Sequence, residues 1–149
     1  NSLQIVSTLI PIHGYNVLIP NACIKEIFRI DSRQNIKRSP NWCMGLMEYK
    51  GQQIHLISLE NIEQAGNAPT EDVRLAVLLN KPERYALKPD VAFVASEIPH
   101  IVQADSHSLE TEYSPQASHT LALSYVKIKE KQAFIPDLER LFRDYSALC

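Results

Sequence analysis

Short apolar runs separated by turn-forming residues recur along most of the chain, and a helical period emerges clearly only near its end. Residues 3–12 (LQIVSTLIPI) are rich in β-branched side chains and predict a first strand. His13-Gly14 turns the chain, and residues 15–20 (YNVLIP) return as the second arm of a hairpin. Asn21 follows Pro20 in a position to cap a single helical turn. Residues 24–30 (IKEIFRI) mix apolar and charged side chains, which predicts a strand with two unlike faces. Residues 31–38 are polar, carry Lys37 and Arg38, and predict an exposed loop.

The pattern is most organised over residues 39–60 (SPNWCMGLMEYKGQQIHLISLE). Met44, Leu46, Met47 and Tyr49 form one arm, Lys50-Gly51 a turn, and residues 53–59 the return arm. Gly51 supplies the positive φ that a tight hairpin turn requires. Ile54, His55, Leu56 and Ile57 make an almost unbroken apolar run, suited to a strand covered on both faces. Ahead of it, Ser39-Pro40-Asn41-Trp42 is a stiff lead-in, because proline fixes its own φ and restricts its predecessor. Trp42 is expected to lock this lead-in against the hairpin, with Gly45 giving it room.

Residues 59–65 predict a short helix stopped at Gly66, then a loop over 67–70. Residues 74–79 (RLAVLL) read as a strand, 81–84 as a turn, and 85–87 as a short strand. Residues 91–95 and 98–102 are further strand pieces, with Pro99 confined to an edge or a bulge because it cannot donate to a ladder. Residues 103–118 are polar and loop-like. Residues 120–128 and 132–135 form a last hairpin around Lys129-Glu130-Lys131. Over 137–148, Leu138, Leu141, Phe142, Tyr145 and Leu148 fall on one helical stripe, with Asp137 as N-cap and Glu139 beside the positive dipole end.

The segment QIHLISLE (53–60) is echoed by QAFIPDLE (132–139): an apolar strand, then Ser/Asp-Leu-Glu opening a helix. The echo and the many short strands point to a mainly β protein of two small closed barrels, which leave few bare sheet edges. The first lobe is expected mainly over 15–70 and the second over 71–135, followed by the C-terminal helix.

Composition narrows the function. The 149 residues suit one domain or two small lobes; 45% are hydrophobic and 21% charged, as in ordinary globular proteins. A net charge of −2 with no polybasic block argues against nucleic-acid and anionic-membrane partners. No apolar run approaches the roughly 18 residues of a membrane span, and no signal peptide is evident. Three scattered cysteines (Cys23, Cys43, Cys149) form no disulfide framework and fit a reducing cytoplasm. The five histidines stand at no metal-ligand spacing, and the four glycines are dispersed, so metal and phosphate-loop chemistry are not indicated. Asp105, Glu110 and Glu112 read as a solvated acidic loop. Cys43 with His55 as base is the one nucleophilic pairing available, but no third group orients it, and a small cysteine packed under Trp42 is the simpler account.

Pro40-x-Trp42-x-x-Gly45-Leu46, Lys50-Gly51 and Leu56-Ile57-Ser58-Leu59 together resemble the centre of the CheW family of chemosensory adaptors. Two departures stand there: Lys50 where arginine is usual and Ser58 where aspartate is usual. In the second half, Ser96-x-Ile98-x-x-Ile101 is nearest to the family's Val-Asp-x-Val-x-x-Val, again with serine for aspartate. The resemblance implies two intertwined five-stranded SH3-like barrels and a non-enzymatic, cofactor-free role in the cytoplasm. It implies as partners the cytoplasmic tip of a methyl-accepting chemoreceptor and the regulatory domain of a CheA-type histidine kinase. The divergence resembles members from pilus-type, twitching-motility clusters. Glu26 matches the glutamate of the family's Val-x-Glu-Ile segment and Lys50 its Arg-Gly arginine. Ile24, Glu26, Phe28, Met47, Tyr49 and Lys50 are therefore the expected partner-binding residues, with Pro40, Trp42, Gly45 and Gly51 shaping the turn. The rival readings are a small-molecule-binding or enzymatic barrel using Cys43 and His55, and an oligonucleotide-binding barrel. The latter is opposed by the missing basic patch and by aromatics at only 7%.

Overall fold

A computed structural model describes residues 5–12, 15–30, 42–63, 75–104, 109–110 and 120–145. The strands are β1 (Ile5–Ile12), β2 (Tyr15–Pro20), β3 (Ile24–Arg29), β4 (Cys43–Tyr49), β5 (Gln52–Ile57), β6 (Leu75–Leu79), β7 (Asp90–Ala95), β8 (His100–Ala104), β9 (Leu109–Glu110), β10 (Ala122–Ile128) and β11 (Lys131–Pro136). A short helix, α1 (Leu59–Glu63), follows β5; α2 (Leu138–Arg140) follows β11 and continues as a π-helical turn, Leu141–Tyr145.

Two sheets result. One has the order β3-β6-β7-β5-β4, the other β8-β1-β2-β11-β10-β9, where two-residue β9 extends a five-stranded core. Their pairings correspond. The hairpin β4–β5 lies parallel to β7, as the hairpin β10–β11 lies parallel to β2. Beyond these, β7–β6–β3 and β2–β1–β8 are both antiparallel runs. The echo between 53–60 and 132–139 thus marks a structural repeat. The lobes are intertwined, because β1 and β2 precede the whole first sheet yet belong to the second. The chain divides as 24–95 against 5–20 with 100–136, which corrects the expected boundary near residue 70: β6 and β7 complete the first sheet, and β2 belongs to the second.

The core has three parts. Phe28, Met44, Met47, Ile54, Leu56, Ala76 and Leu78 fill the interior of the first sheet. Leu9, Leu18, Val102, Val126, Ile128 and Ala133 fill that of the second. Between the sheets lies a larger shared core that includes Ile10, Val17, Ile19, Ile57, Val77, Val91, Phe93, Phe134, Leu141 and Phe142. Alternation explains the unbroken apolar runs: along β6, Ala76 and Leu78 face one core while Val77 and Leu79 face the other. Strands covered on both faces need no polar face. Burying each large apolar side chain here contributes about 1.5–3 kcal/mol. Leu141 and Phe142 are fully buried, as the stripe predicts, and Asp137 Oδ1 accepts from Arg140 N at 3.3 Å as the expected N-cap.

The sheets are also tied by polar contacts. The Glu63 carboxylate at the end of α1 accepts from the backbone N–H of Thr120 (2.5 Å) and Leu121 (2.9 Å), just ahead of β10. Ser96 donates to the Pro11 carbonyl through both its N–H (2.9 Å) and its hydroxyl (3.1 Å), fixing the β7–β8 corner to β1.

Several local expectations are corrected. Residues 85–87 are not a strand: Glu83–Tyr85 forms a 3-10 turn closed by Tyr85 N–H to Pro82 O and Ala86 N–H to Glu83 O. Asn21 does not cap its turn (Asn21–Cys23), since its Oδ1 instead accepts from the Thr8 hydroxyl at 2.5 Å. Gly45 adopts φ 100° beside a bulge between Cys43 and Gly45, a left-handed backbone that itself favours glycine there. Cys43 is disulfide-bonded, while Cys23 is free. Among the described residues no helix is long and apolar enough to cross a membrane.

Candidate partner-binding site

The turn Lys50-Gly51 has left-handed backbone at both positions, with φ of 51° and 78°, the geometry of a type I′ hairpin. It projects from the end of β4, one edge of the first sheet; β3 is the other edge. The sheet curls until these edges meet through side chains. Tyr49 Oη donates to Glu26 Oε1 at 2.7 Å, and Lys50 Nζ donates to Oε1 at 3.1 Å and Oε2 at 3.4 Å. Beneath them the rings of Phe28 and Tyr49 stack with centroids 3.7 Å apart and planes 8° from parallel. The Lys50 ammonium sits 5.3 Å from the Tyr49 ring centre.

This geometry sets the electrostatics. The Tyr49 hydroxyl, then Lys50, hold the Glu26 carboxyl below its ordinary range. The same carboxylate raises both the Tyr49 hydroxyl and the Lys50 ammonium. Three of the expected residues therefore form one cluster. Phe28 and Met47 are corrected as surface residues: both are buried in the interior of the first sheet and support the surface from below. Ile24 is half-buried and packs against the shared core. Of the shaping residues, Trp42 accepts the Ser58 N–H on its carbonyl at 2.8 Å and meets Tyr145 edge-on, 5.0 Å between centroids. A Cβ at Gly51 would meet nothing within 4 Å. Pro40 lies outside the described residues.

A groove of about 990 Å³ opens between the outer face of β3 and the β7–β8 corner, where the chain crosses to the other sheet, lined in part by Ile27, Leu75, Ile98, Pro99 and Ile101. Ile98 and Ile101 are 72% and 71% exposed. A contiguous exposed apolar surface of this kind marks an interaction site. Arg29 and Glu97 also line it, giving it neither a basic nor an acidic character. Sequence reasoning noted Ile98, Pro99 and Ile101 for motif and strand geometry but assigned none of the groove residues named here to a binding surface, although two signals existed. Ile27 stands between Glu26 and Phe28 on the otherwise charged face of β3, and Ile98 and Ile101 lie on either side of Pro99 where the chain enters the short strand β8.

The nucleophilic alternative finds no support here. Cys43 has its sulfur in a disulfide, and its cross-strand partner is Ile57, whereas that of His55 is Leu46. Among the described residues no three His, Cys, Asp or Glu side chains gather as a metal site.

No curated protein matches the sequence. Among solved structures, the scaffolding protein TtCheW from Thermoanaerobacter tengcongensis superimposes with a TM-score of 0.74 at 14% identity, covering 97% of this chain and 96% of that one. That likeness establishes the fold. The description "CheW-like domain" matches residues 8–146, nearly the whole chain, and the protein therefore belongs to the CheW-like domain family.

Proposed function

We propose that this chain is a non-enzymatic adaptor that couples the cytoplasmic tip of a chemoreceptor to the regulatory domain of a CheA-type histidine kinase. The observation that carries the reading is the apolar groove beside the Glu26–Tyr49–Lys50 cluster. Its lining combines Ile24, Ile27, Leu75, Ile98, Pro99 and Ile101 with a few polar side chains and with Arg29 and Glu97 as one charge of each sign, which suits the apolar ridge of a helical partner and supplies no basic stripe for a phosphate backbone. Family membership supplies the kind of partner, and the charged cluster adjoining the groove supplies polar contacts that orient it. Both partner domains face the cytoplasm, which is the compartment this reading requires. The departures at Lys50, Ser58 and Ser96 favour a pilus-type, twitching-motility pathway.

The test is purification of the tagged chain from its native cell, beside the variants Ile98→Asp and Ile101→Asp. Recovery of a histidine kinase or chemoreceptor by the natural chain, and its loss in groove variants with unchanged melting, is the expected result. Recovery of neither protein by the natural chain would overturn the reading.

A further inference from the structure

We propose that Cys43 is joined to Cys149 and that their bond is a redox-sensitive clasp between the two sheets, closed by oxidation and opened by small cellular thiols. The proposal goes beyond the adaptor reading and takes from it only the cytoplasmic compartment.

The pairing follows from count and reach. The chain has three cysteines; Cys43 is disulfide-bonded and Cys23 is free, which leaves Cys149, outside the described residues, as the partner within the chain. An independent contact brings the two segments together. Trp42, the neighbour of Cys43, meets Tyr145 edge-on with ring centroids 5.0 Å apart. Tyr145 stands four residues before Cys149. Four residues span up to about 14 Å of extended chain, ample for the roughly 6 Å between the Cα atoms of a disulfide.

The bond joins two anchored points. Cys43 opens β4 at the edge of the first sheet, where it is buried opposite Ile57. Beside it, the Trp42 carbonyl accepts from Ser58 N–H at 2.8 Å, which fixes the start of the strand. Tyr145 ends the helical element that leaves the second sheet after β11, and Leu141 and Phe142 seat that element in the shared core. A bond from Cys43 to Cys149 therefore closes a loop of more than a hundred residues and ties the first sheet to the last element of the second.

Compartment makes the bond a switch. In a reducing cytoplasm disulfides are rare, and those that form are mostly transient or redox-sensing. Because Cys43 is buried, an attacking thiolate RS⁻ strikes Sγ of Cys149, forming R–S–S–Cys149 and expelling the Cys43 thiolate, which takes up a proton. A second thiolate releases RSSR and the Cys149 thiolate, so two thiols supply the two electrons. RSSR closes the clasp by the reverse path. Cys23 stays outside this exchange: burial pushes its thiol above the ordinary value, and little thiolate is present at neutral pH to attack.

The experiment has two arms. In the first, native cells carrying the tagged chain are quenched in acid and their thiols alkylated, before and after brief exposure to the thiol oxidant diamide. The unreduced protein is then digested and mapped by mass spectrometry. A peptide pair linked through Cys43 and Cys149 is expected, minor before oxidation and dominant after it, with Cys23 alkylated throughout. A pair absent under both conditions, or linked through Cys23 or to a second copy, would overturn the pairing. A pair complete under both would overturn the switch. In the second arm, reduction of the purified full chain should lower its Tm by about 10 °C, as for a cross-link over so long a loop. Amide exchange across Leu138–Tyr145 should speed with it. Cys149→Ser should melt like the reduced natural chain and ignore the reductant, whereas Cys23→Ser should keep the full response. No shift in the natural chain, or a shift retained in Cys149→Ser, would rule out the clasp. Neither arm uses a receptor or kinase, so the clasp and the adaptor reading fail separately.

Discussion

The hairpin β4–β5 with α1 and the hairpin β10–β11 with α2 are the same device built twice with different surfaces. In each, two left-handed residues turn the chain: Lys50 and Gly51 at φ 51° and 78°, Lys129 and Glu130 at φ 49° and 65°. In each, the return strand lies parallel to a distant strand, and a small polar residue then opens a helix. Asp137 caps α2 through its carboxylate, and the Ser58 carbonyl accepts the Ile62 N–H as the first bond of α1. The differences lie at the outer edge. There β10 gains β9, with Lys127 opposite Glu110, whereas β4 is met across the seam by the side chains of β3. What is shared follows from pattern and makes the fold. What differs is the edge that a partner can meet.

The largest break in the comparison is expected from the helices. Phe142 is fully enclosed in the shared core, while Ile62 of α1 only packs against its rim. Phe142→Ala should cost about 3–5 kcal/mol in urea unfolding, and Ile62→Ala about 1–2. Equal losses would mean that the two helices brace the core alike.

A smaller and opposite pair of effects is expected at the turns. Gly51→Val should destabilise by about 1–3 kcal/mol, entirely from backbone strain, because an added Cβ meets nothing there. Glu130→Gly should instead stabilise by up to about 1 kcal/mol, since it relieves a non-glycine residue held at φ 65°. Melting curves read both, and a shared sign would contradict the equivalence of the turns. Below these comes the cap. Asp137→Ala should cost about 1 kcal/mol by removing the acceptor for Arg140 N–H.

How far the sequence foretold this molecule depends on range. Turn chemistry and apolar runs are local, so both hairpins, the cap at Asp137 and the burial of Leu141 and Phe142 were legible. The structural echo was legible too, because Ser58 and Asp137 occupy like positions after like strands. Serine at 58 keeps the capping position and removes a charge from a buried site. Lobe boundaries were not legible, since nothing local tells β2 that its parallel neighbour is β11, more than a hundred residues away. For the same reason the site was only half visible. The alternation along 24–30 identifies a two-faced strand, but not that Phe28 turns inward under Tyr49 while Ile27 faces the groove. Tyr85-Ala86-Leu87 failed as a strand because Pro82 and a run of short-range hydrogen bonds won over β-propensity.

The finest expected effect is the pH dependence of the seam, and it has two ends. Glu26 titrates below its ordinary value of 4.5, chiefly because Tyr49 and then Lys50 donate to its charged form. A depressed carboxyl contributes stability that is fully present above its unfolded value and is lost as pH falls through the lower folded one. Seam protection should therefore persist at neutral pH and fade only below about 4.5, in the range where the folded carboxyl takes up its proton. At the other end, Tyr49 and Lys50 titrate above their ordinary values of 10.0 and 10.5, both chiefly through their hydrogen bonds to Glu26. Groups raised in this way lend stability below their unfolded values and lose it as pH climbs through the folded ones. Amide exchange of β3 and β4 across pH, corrected for intrinsic rates and compared with Glu26→Gln, checks both ends. The natural chain should show a plateau between them, while the variant should be flat at the acid end, because its amide has no proton to gain. The hairpin β10–β11 serves as the internal control, since its tip residues Lys129 and Glu130 show no ion pair among the described residues and its turn should not follow that acid edge. Identical acid-side profiles for the natural chain and Glu26→Gln would mean that the carboxylate does not hold the seam.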